Sequence, residues 1–555
     1  MATMKRHVEP ALSSWPMPRV ITLHSPKRWP AQKAALVELA AASKKLTPAV
    51  LARYLHRTSH DKVPEEDFRR TEAIETLGVH DAAFFTSTVP FIAKLALCST
   101  DLFPSTEASP LRYLPPSEAG TVRLSRLHVA SVLALAFFDA IAPHEFEGAD
   151  DWDFPEVPTC RYWLGVGDIY GGNPCDEQKA VCLLHFFQRA QRTFARDLSP
   201  AAIAAASTSA PEAQFTVSRL VLPAHVTEAG AAESAAVWVD CNAPLLPLTV
   251  VDSGGIEGAP GALQADFANE YLGGGVLMGG NVQEEIRFSI CPECLVSMLV
   301  CPRMRPHEAV LLTGVKQYAT YSGYGDRFEC TGPAEGPSDD SAAGAAGGAK
   351  RRTRGRGAPA APSASVAADA DADGVGEHLI AIDAVPYAFQ MGARAQYNQD
   401  AMLRELLKLR AALGDGGGYD DEQTAAEAPG EGEPSPKRPA TKGKHAAAVT
   451  GSIEGGSGSR RPFATGNWGC GVFGGDARLK ALLQWMAASR AGRAVLYFPF
   501  GDPRVSGLRE AAEALRANEV TVGQLARVLF GAGAEALSNG RAFAHVEAKL
   551  ANGGR

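Results

Sequence analysis

The residues that decide the fold are Asp266-Phe267-Ala268-Asn269-Glu270-Tyr271-Leu272-Gly273-Gly274-Gly275-Val276, continued by Gly279-Gly280-Asn281-Val282-Gln283-Glu284-Glu285. A β-rich run, Leu263–Phe267, leads into Asp266 and Asn269; a triple-glycine turn follows, and adjacent glutamates open the next helical pattern. Three consecutive glycines let a backbone approach a ligand closely and turn its N–H groups toward an anion. A helix starting just afterwards adds its positive end. Two carboxylates beside an anion-binding loop are electrostatically awkward unless one of them transfers a proton. A flexible loop followed by a solvated acidic first turn is the competing reading of the same residues.

Around this segment, short β-rich runs occur at Thr216–Leu222, Pro247–Val251, Ala309–Thr313, Leu379–Ala384 and Ala494–Phe500. Helical patterns lie between several of them, at Pro292–Cys301, Asn398–Leu413 and Asp476–Arg490. Such alternation predicts an α/β layer fold with a mixed or mostly parallel sheet, and a ligand crevice beyond the carboxyl ends of the strands. Up to about Asp197 the chain reads as mainly helical, with clear patterns at Leu124–Ala140, where Ser125 is placed to cap, and at Cys182–Ala195. Two stretches, Thr331–Gly376 and Gly414–Arg461, are built largely from Ala, Gly, Ser, Pro and charged residues without hydrophobic periodicity. They are expected to be disordered insertions. Their basic runs, Lys350–Arg354 and Pro434–Pro439, read equally as nuclear-import signals or as solvated linker charge.

A second glycine-rich segment, Gly466-Asn467-Trp468-Gly469-Cys470-Gly471-Val472-Phe473-Gly474-Gly475-Asp476, runs into a helix that Asp476 can cap. Its glycines match G-x-G-x-x-G, but the residues before it read as linker and Asp502 comes too late for a dinucleotide-binding turn. A loop cradling a diphosphate fits better. The tyrosines Tyr318, Tyr321 and Tyr324 follow a strand end, where they can close over a ligand; for Tyr318 a place in the core is the preferred reading. Cys291-x-x-Cys294 with Cys301 nearby lacks a second ligand pair, so no metal is expected. His128, inside an apolar helix, reads as a core or capping histidine.

The chain has 555 residues, 46% of them apolar, enough for a large buried core. Its net charge of −8 argues against a general or sequence-specific nucleic-acid binder. Val129–Ile141, interrupted by Asp139, is too short to span a bilayer, and Met1–Pro16 lacks the apolar core of a secretory signal. Ten scattered cysteines suggest free thiols in a reducing compartment. A soluble intracellular protein, without membrane association, is expected.

Gly273–Gly275 followed after seven residues by Gln283-Glu284-Glu285 resembles the signature of the poly(ADP-ribose) glycohydrolase family. The flanks match too: Ile256-Glu257-Gly258, Asp266–Asn269, Ile286-Arg287-Phe288, Thr313-Gly314, Gln317-Tyr318, Tyr321-x-Gly323-Tyr324, Ile382–Ala384, Thr465–Lys480 and Tyr497–Asp502. The loop between Ile256 and Asp266 is a residue shorter than the family's.

The resemblance implies a macrodomain-like three-layer α/β/α sandwich with a mixed sheet over 201–555, preceded by a mainly helical accessory region over 1–200. It implies an enzyme that hydrolyses ribose–ribose O-glycosidic bonds of poly(ADP-ribose), acting on poly(ADP-ribosyl)ated proteins as a monomer in nucleus or cytoplasm, without cofactor or metal. By motif position Glu285 is the acid/base and Glu284 holds the riboses; Asp266, counted with them as catalytic, and Asn269 shape the ribose site, and Gln283 binds substrate. Gly273, Gly274 and Gly275, with Asn467, Gly469, Gly471 and Phe473, enclose the diphosphate and distal ribose. Ile256 and Glu257 meet the adenine edge, Tyr324 and Phe500 flank the adenine, and Tyr321 is a further substrate-binding residue. A neighbouring Glu284 is expected to raise the pKa of the acid. The chief alternative is a non-catalytic ADP-ribose reader, which needs the pocket but no glutamates beside an anionic ligand. A dinucleotide-dependent oxidoreductase, resting on Gly469–Gly474, is a weaker one.

Overall fold

The computed structural model describes residues 19–42, 46–59, 71–143, 156–164, 174–206, 214–334, 376–414 and 460–550. Most of both predicted insertions, with their basic runs, lies outside the described residues.

Ten strands are present among the described residues: β1 Gly120–Ser125, β2 Gln214–Val221, β3 Leu248–Val250, β4 Leu263–Asp266, β5 Glu308–Val315, β6 Ala319–Ser322, β7 Glu329–Pro333, β8 Glu377–Ala381, β9 Phe463–Gly466 and β10 Val495–Phe498. Eight form one mixed sheet in the order β1-β2-β5-β8-β4-β9-β10-β3, while β6 and β7 make a separate hairpin. Pairing is antiparallel from β1 to β8 and parallel from β8 to β3. β4 is buried throughout, as a central strand covered on both faces must be.

Helices cover both faces of the sheet. Because side chains alternate along a strand, Val310 and Leu379 face one core while their neighbours Ala309 and Ile380 face the other. The first core joins the N-terminal helices to Gln283–Ile290 and Leu295–Val300. The second takes helices Ala231–Val239, Gln399–Leu413, Ala477–Arg490 and Val522–Gly531. The result is a three-layer sandwich with a helical N-terminal part packed on one side. No single helix among the described residues is long and apolar enough to cross a membrane.

Two local expectations need correction. The helical pattern begun at Leu124 is split: Val122 and Leu124 point inward with Thr121 and Arg123 outward, so Gly120–Ser125 is an edge strand paired with β2. The helix itself runs Arg126–Phe137. The residues before the second glycine loop are likewise a strand, since Phe463–Gly466 forms β9 between β4 and β10. The helix expected over Cys182–Ala195 begins earlier, running Pro174–Phe194; other boundaries lie close to those expected, and the Pro292–Cys301 pattern resolves into a 3₁₀ turn, Pro292–Cys294, and the helix Leu295–Val300.

Ser125 caps its helix as its position predicts. Its Oγ accepts from the His128 N–H at 3.3 Å, and His128 Nδ1 accepts from the Ser125 N–H at 3.2 Å. Burial lowers the His128 pKa to about 4, so the ring is neutral near pH 7 and able to accept. Ser125→Ala should therefore cost about 1 kcal/mol of stability, read as a lower denaturant midpoint with an unchanged slope.

Candidate active site

β4, β9 and β10 are parallel neighbours, and their carboxyl ends lie level: Gln264 pairs with Ala464, and Gly466 with Phe498. Asp266 ends β4, Asn467 follows β9, and Phe500 lies just beyond β10. The Ile382 N–H donates to Asp266 O at 3.1 Å, which brings the end of β8 alongside. One crevice therefore collects loops from four strands.

The glycine loop between β4 and the helix Gln283–Ile290 folds over the glutamates that open that helix. Glu284 accepts the Gly273 N–H on Oε1 at 2.6 Å and the Asn269 N–H on Oε2 at 2.8 Å. Glu285 accepts the Gly275 N–H on Oε1 at 2.9 Å and its own helix's Val282 N–H on Oε2 at 2.9 Å. The Gly274 N–H goes to Tyr271 O at 3.2 Å. This corrects the expectation that these amides face an external anion: those of Gly273 and Gly275 serve the protein's own glutamates, and that of Gly274 a backbone carbonyl. Glycine is required here, because Gly274 has φ +52° and a Cβ would lie 2.6 Å from Glu285 Oε1 and 2.7 Å from Glu284 Oε2. Gln283 completes the frame, accepting from the Phe267 N–H at 2.8 Å and donating to Ala265 O at 3.1 Å.

Asp266 is completely buried, and neither carboxyl oxygen has a hydrogen-bond partner among the described residues. Burial raises its pKa to about 8, against the pull of Arg287 and with a push from Glu285. Burial also raises the Glu284 pKa, helped by Asp266 and Glu285, while the N–H groups of Asn269 and Gly273 oppose it. Three acids thus share one buried corner beside the buried Arg287 guanidinium.

The remaining predicted residues are divided between the crevice and its frame. Tyr324 and Phe500 are half exposed at the rim. Tyr324 sits at the β6–β7 turn, which is pinned to the glycine loop by Gly325 N–H donating to Asn281 O at 2.9 Å. Phe500 has φ +53° and stacks over Phe498 at 6.4 Å; a Cβ on Gly466 would come within 2.7 Å of its ring. Tyr321 donates to Glu257 Oε1 at 2.7 Å. Ile256 is buried against Ala464 and Phe498, so only its backbone can meet a ligand. The Asn269 side chain accepts from the Tyr271 N–H at 3.0 Å. Asn467 bridges Pro499 O at 3.0 Å and the Tyr497 hydroxyl at 2.9 Å. In the second loop Gly469 and Gly474 adopt φ near +70° against Ala384 and Ala388, Phe473 is half-buried, and Gly471 faces open space. Asp476 caps the following helix through the N–H groups of Arg478 and Leu479, both at 3.0 Å.

Met278, Val282, Phe389 and Val472 join Tyr324 and Phe500 as large apolar side chains left exposed on these loops. Such clustering marks a surface for a ligand with apolar faces. Sequence reading missed Met278, Val282 and Phe389; an apolar residue in a glycine-rich loop was the available signal for the first two.

Tyr318 is buried and donates to Glu293, in the core as preferred. Burial pushes the Cys291 thiol up to about 12, and the described residues contain no group of three or more ligating side chains placed to hold a metal ion. None of the ten cysteines, all among the described residues, forms a disulfide.

The family model for the poly(ADP-ribose) glycohydrolase macro domain fold matches residues 235–507, and that for the helical domain of the same family matches 78–203. Probable poly(ADP-ribose) glycohydrolase 2 of Arabidopsis thaliana is 30% identical over 450 residues, covering 78% of this chain and 72% of the relative. Poly(ADP-ribose) glycohydrolase 1 of the same plant is 29% identical over 423 residues, 75% of this chain and 70% of the relative. Poly(ADP-ribose) glycohydrolase 1 of Caenorhabditis elegans is 29% identical over 292 residues, 52% and 30%.

Gly274→Ala drives a methyl into both carboxylates, so turnover should fall about a hundredfold or more while the protein stays folded by circular dichroism. For Asp266 the sign runs against high pH. Its folded pKa of about 8 exceeds the unfolded value, so the folded chain holds the extra proton and stability is lost as pH rises toward 8. Calorimetry should show a wild-type melting temperature that declines from about pH 5 to pH 8, with a shallower decline in Asp266→Asn.

Proposed function

This chain belongs to the poly(ADP-ribose) glycohydrolase family, and we propose that it hydrolyses ribose–ribose O-glycosidic bonds of poly(ADP-ribose), releasing ADP-ribose. The observation that carries this reading is the buried Glu285 carboxyl group, fixed by two backbone N–H groups beneath loops that leave Tyr324 and Phe500 exposed. A reader domain has no use for three acids beside an anionic ligand.

In this reading adenine lies between Tyr324 and Phe500 near Glu257. The exposed turn Gly471–Val472–Phe473 takes the diphosphate, since the N–H groups of Gly273, Gly274 and Gly275 are already engaged. Glycoside cleavage passes through an oxocarbenium-like state and needs an acid at the leaving oxygen. The Glu285 carboxyl gives its proton to the leaving ribose oxygen as the C–O bond breaks. Water then bonds to the cationic carbon and returns a proton to the Glu285 carboxylate. The substrate's own diphosphate helps offset the positive charge.

Glu284 has a different task. Its oxygens tie the loop at both Asn269 and Gly273, whereas Glu285 uses one of its two on Val282 at the start of its own helix, so Glu284 sets the loop against which Glu285 and the ribose are placed. The two substitutions separate these tasks, because glutamine at either position turns an NH₂ toward a backbone N–H. Glu284→Gln therefore controls for loop disturbance. It should retain measurable release of ADP-ribose from purified polymer, whereas Glu285→Gln should lose nearly all of it. Equal losses would overturn the division of roles, and no release by wild type would overturn the activity.

A further inference from the structure

The glycine loop is held from behind by the helical N-terminal part of the chain. Two donors meet on one backbone oxygen: Lys179 Nζ lies 2.9 Å from Val276 O, and Trp163 Nε1 lies 3.0 Å from the same atom. Lys179 belongs to the helix Pro174–Phe194 and Trp163 to the 3₁₀ turn Tyr162–Leu164. Both side chains are completely buried. A buried ammonium is expensive unless its partners are well placed, and Lys179 has Asp176 Oδ1 at 2.9 Å as well as the Val276 carbonyl.

Val276 follows Gly275, whose N–H caps Glu285. The turn is closed by Val276 N–H to Gly273 O at 2.9 Å, Met278 N–H to Gly275 O at 3.0 Å and Gly280 N–H to Gly275 O at 2.8 Å. With glycine at 273, 274, 275, 279 and 280, this turn has little conformational restraint of its own. Something outside it must fix where the Gly275 N–H points. Two donors saturate both lone pairs of the Val276 carbonyl and fix the plane of that peptide.

Resting on the glycohydrolase reading above, we propose that Lys179 and Trp163 are positioning residues for the reaction, acting through the Val276 carbonyl to hold the glycine loop, and with it Glu285, in the productive place. The helical part of the chain thereby completes the active site without touching substrate. Lys179 also brings its charge to this corner: burial lowers its pKa, while Asp176 and then Glu285 favour its ammonium form.

The test uses the full chain and the variants Trp163→Phe, Lys179→Met and the double variant. Trp163→Phe keeps an aromatic side chain and removes the indole N–H with its five-membered ring, so it remains informative if Lys179→Met, which takes one partner from Asp176, fails to fold. The expected result is a fall in kcat of about tenfold or more in Trp163→Phe, with KM for the polymer within about twofold. ADP-ribose should still bind at one per chain by calorimetry. The losses should be non-additive in the double variant, because both donors act on one atom. Amide exchange over residues 273–279 should accelerate in each folded variant. Unchanged kcat with unchanged exchange in Trp163→Phe overturns the proposal, as does a loss of kcat that only tracks a loss of binding stoichiometry. If wild type releases no ADP-ribose, the glycohydrolase reading fails, and the exchange measurement alone decides whether the clamp holds the loop.

Discussion

Two neighbouring carboxylates at the start of one helix turn back on the loop that precedes it and accept its backbone N–H groups. Glu284 takes Asn269 and Gly273, and Glu285 takes Gly275 and Val282. The rest of the site depends on this exchange. The loop must be glycine because carboxylate oxygens occupy the space where a Cβ would stand. The helix must begin where it does because Glu285 caps it. β4 must end in the crevice because Gln283 ties its last peptides to the same helix.

This arrangement works against stability. Asp266 and Glu284 are buried acids with raised pKa values, and the Asp266 carboxyl has no hydrogen-bond partner among the described residues. Phe500 sits at a positive φ that few non-glycine residues adopt. Such local violations are expected where function constrains a fold that is otherwise consistent, and the surrounding structure must outweigh them. Here that structure is a sheet with helices on both faces and a buried ion pair, Arg219 with Glu308, joining β2 to β5.

Much of this was legible in the sequence, for identifiable reasons. Runs such as Leu263–Phe267 and Asn398–Leu413 announce themselves by apolar period, and Ser125 and Asp476 by their capping chemistry. The sheet's edge was obscured because Gly120–Ser125 leads without a turn into a strongly apolar helix, so a period of two was absorbed into a period near four. β9 was obscured because it has four residues and follows a compositionally foreign stretch. In the site, the triple glycine and the glutamates pointed to an anion held by backbone N–H groups. That chemistry is right, but whose anion it is depends on three-dimensional closure between residues ten or eleven apart. Lys179 and Trp163 were invisible for a stronger reason. Each bonds a carbonyl about a hundred residues away, and backbone oxygens carry no sequence signature.

The central claim is that the crevice cuts poly(ADP-ribose) as well as holding it, and that Glu285 makes the difference. The most direct measurement follows polymer binding and free ADP-ribose together, with the purified full chain and Glu285→Gln. The account predicts that both proteins bind the polymer with similar affinity and that only the wild type releases ADP-ribose. Wild-type protein that binds the polymer and releases nothing, or a variant that releases as fast as wild type, would contradict it.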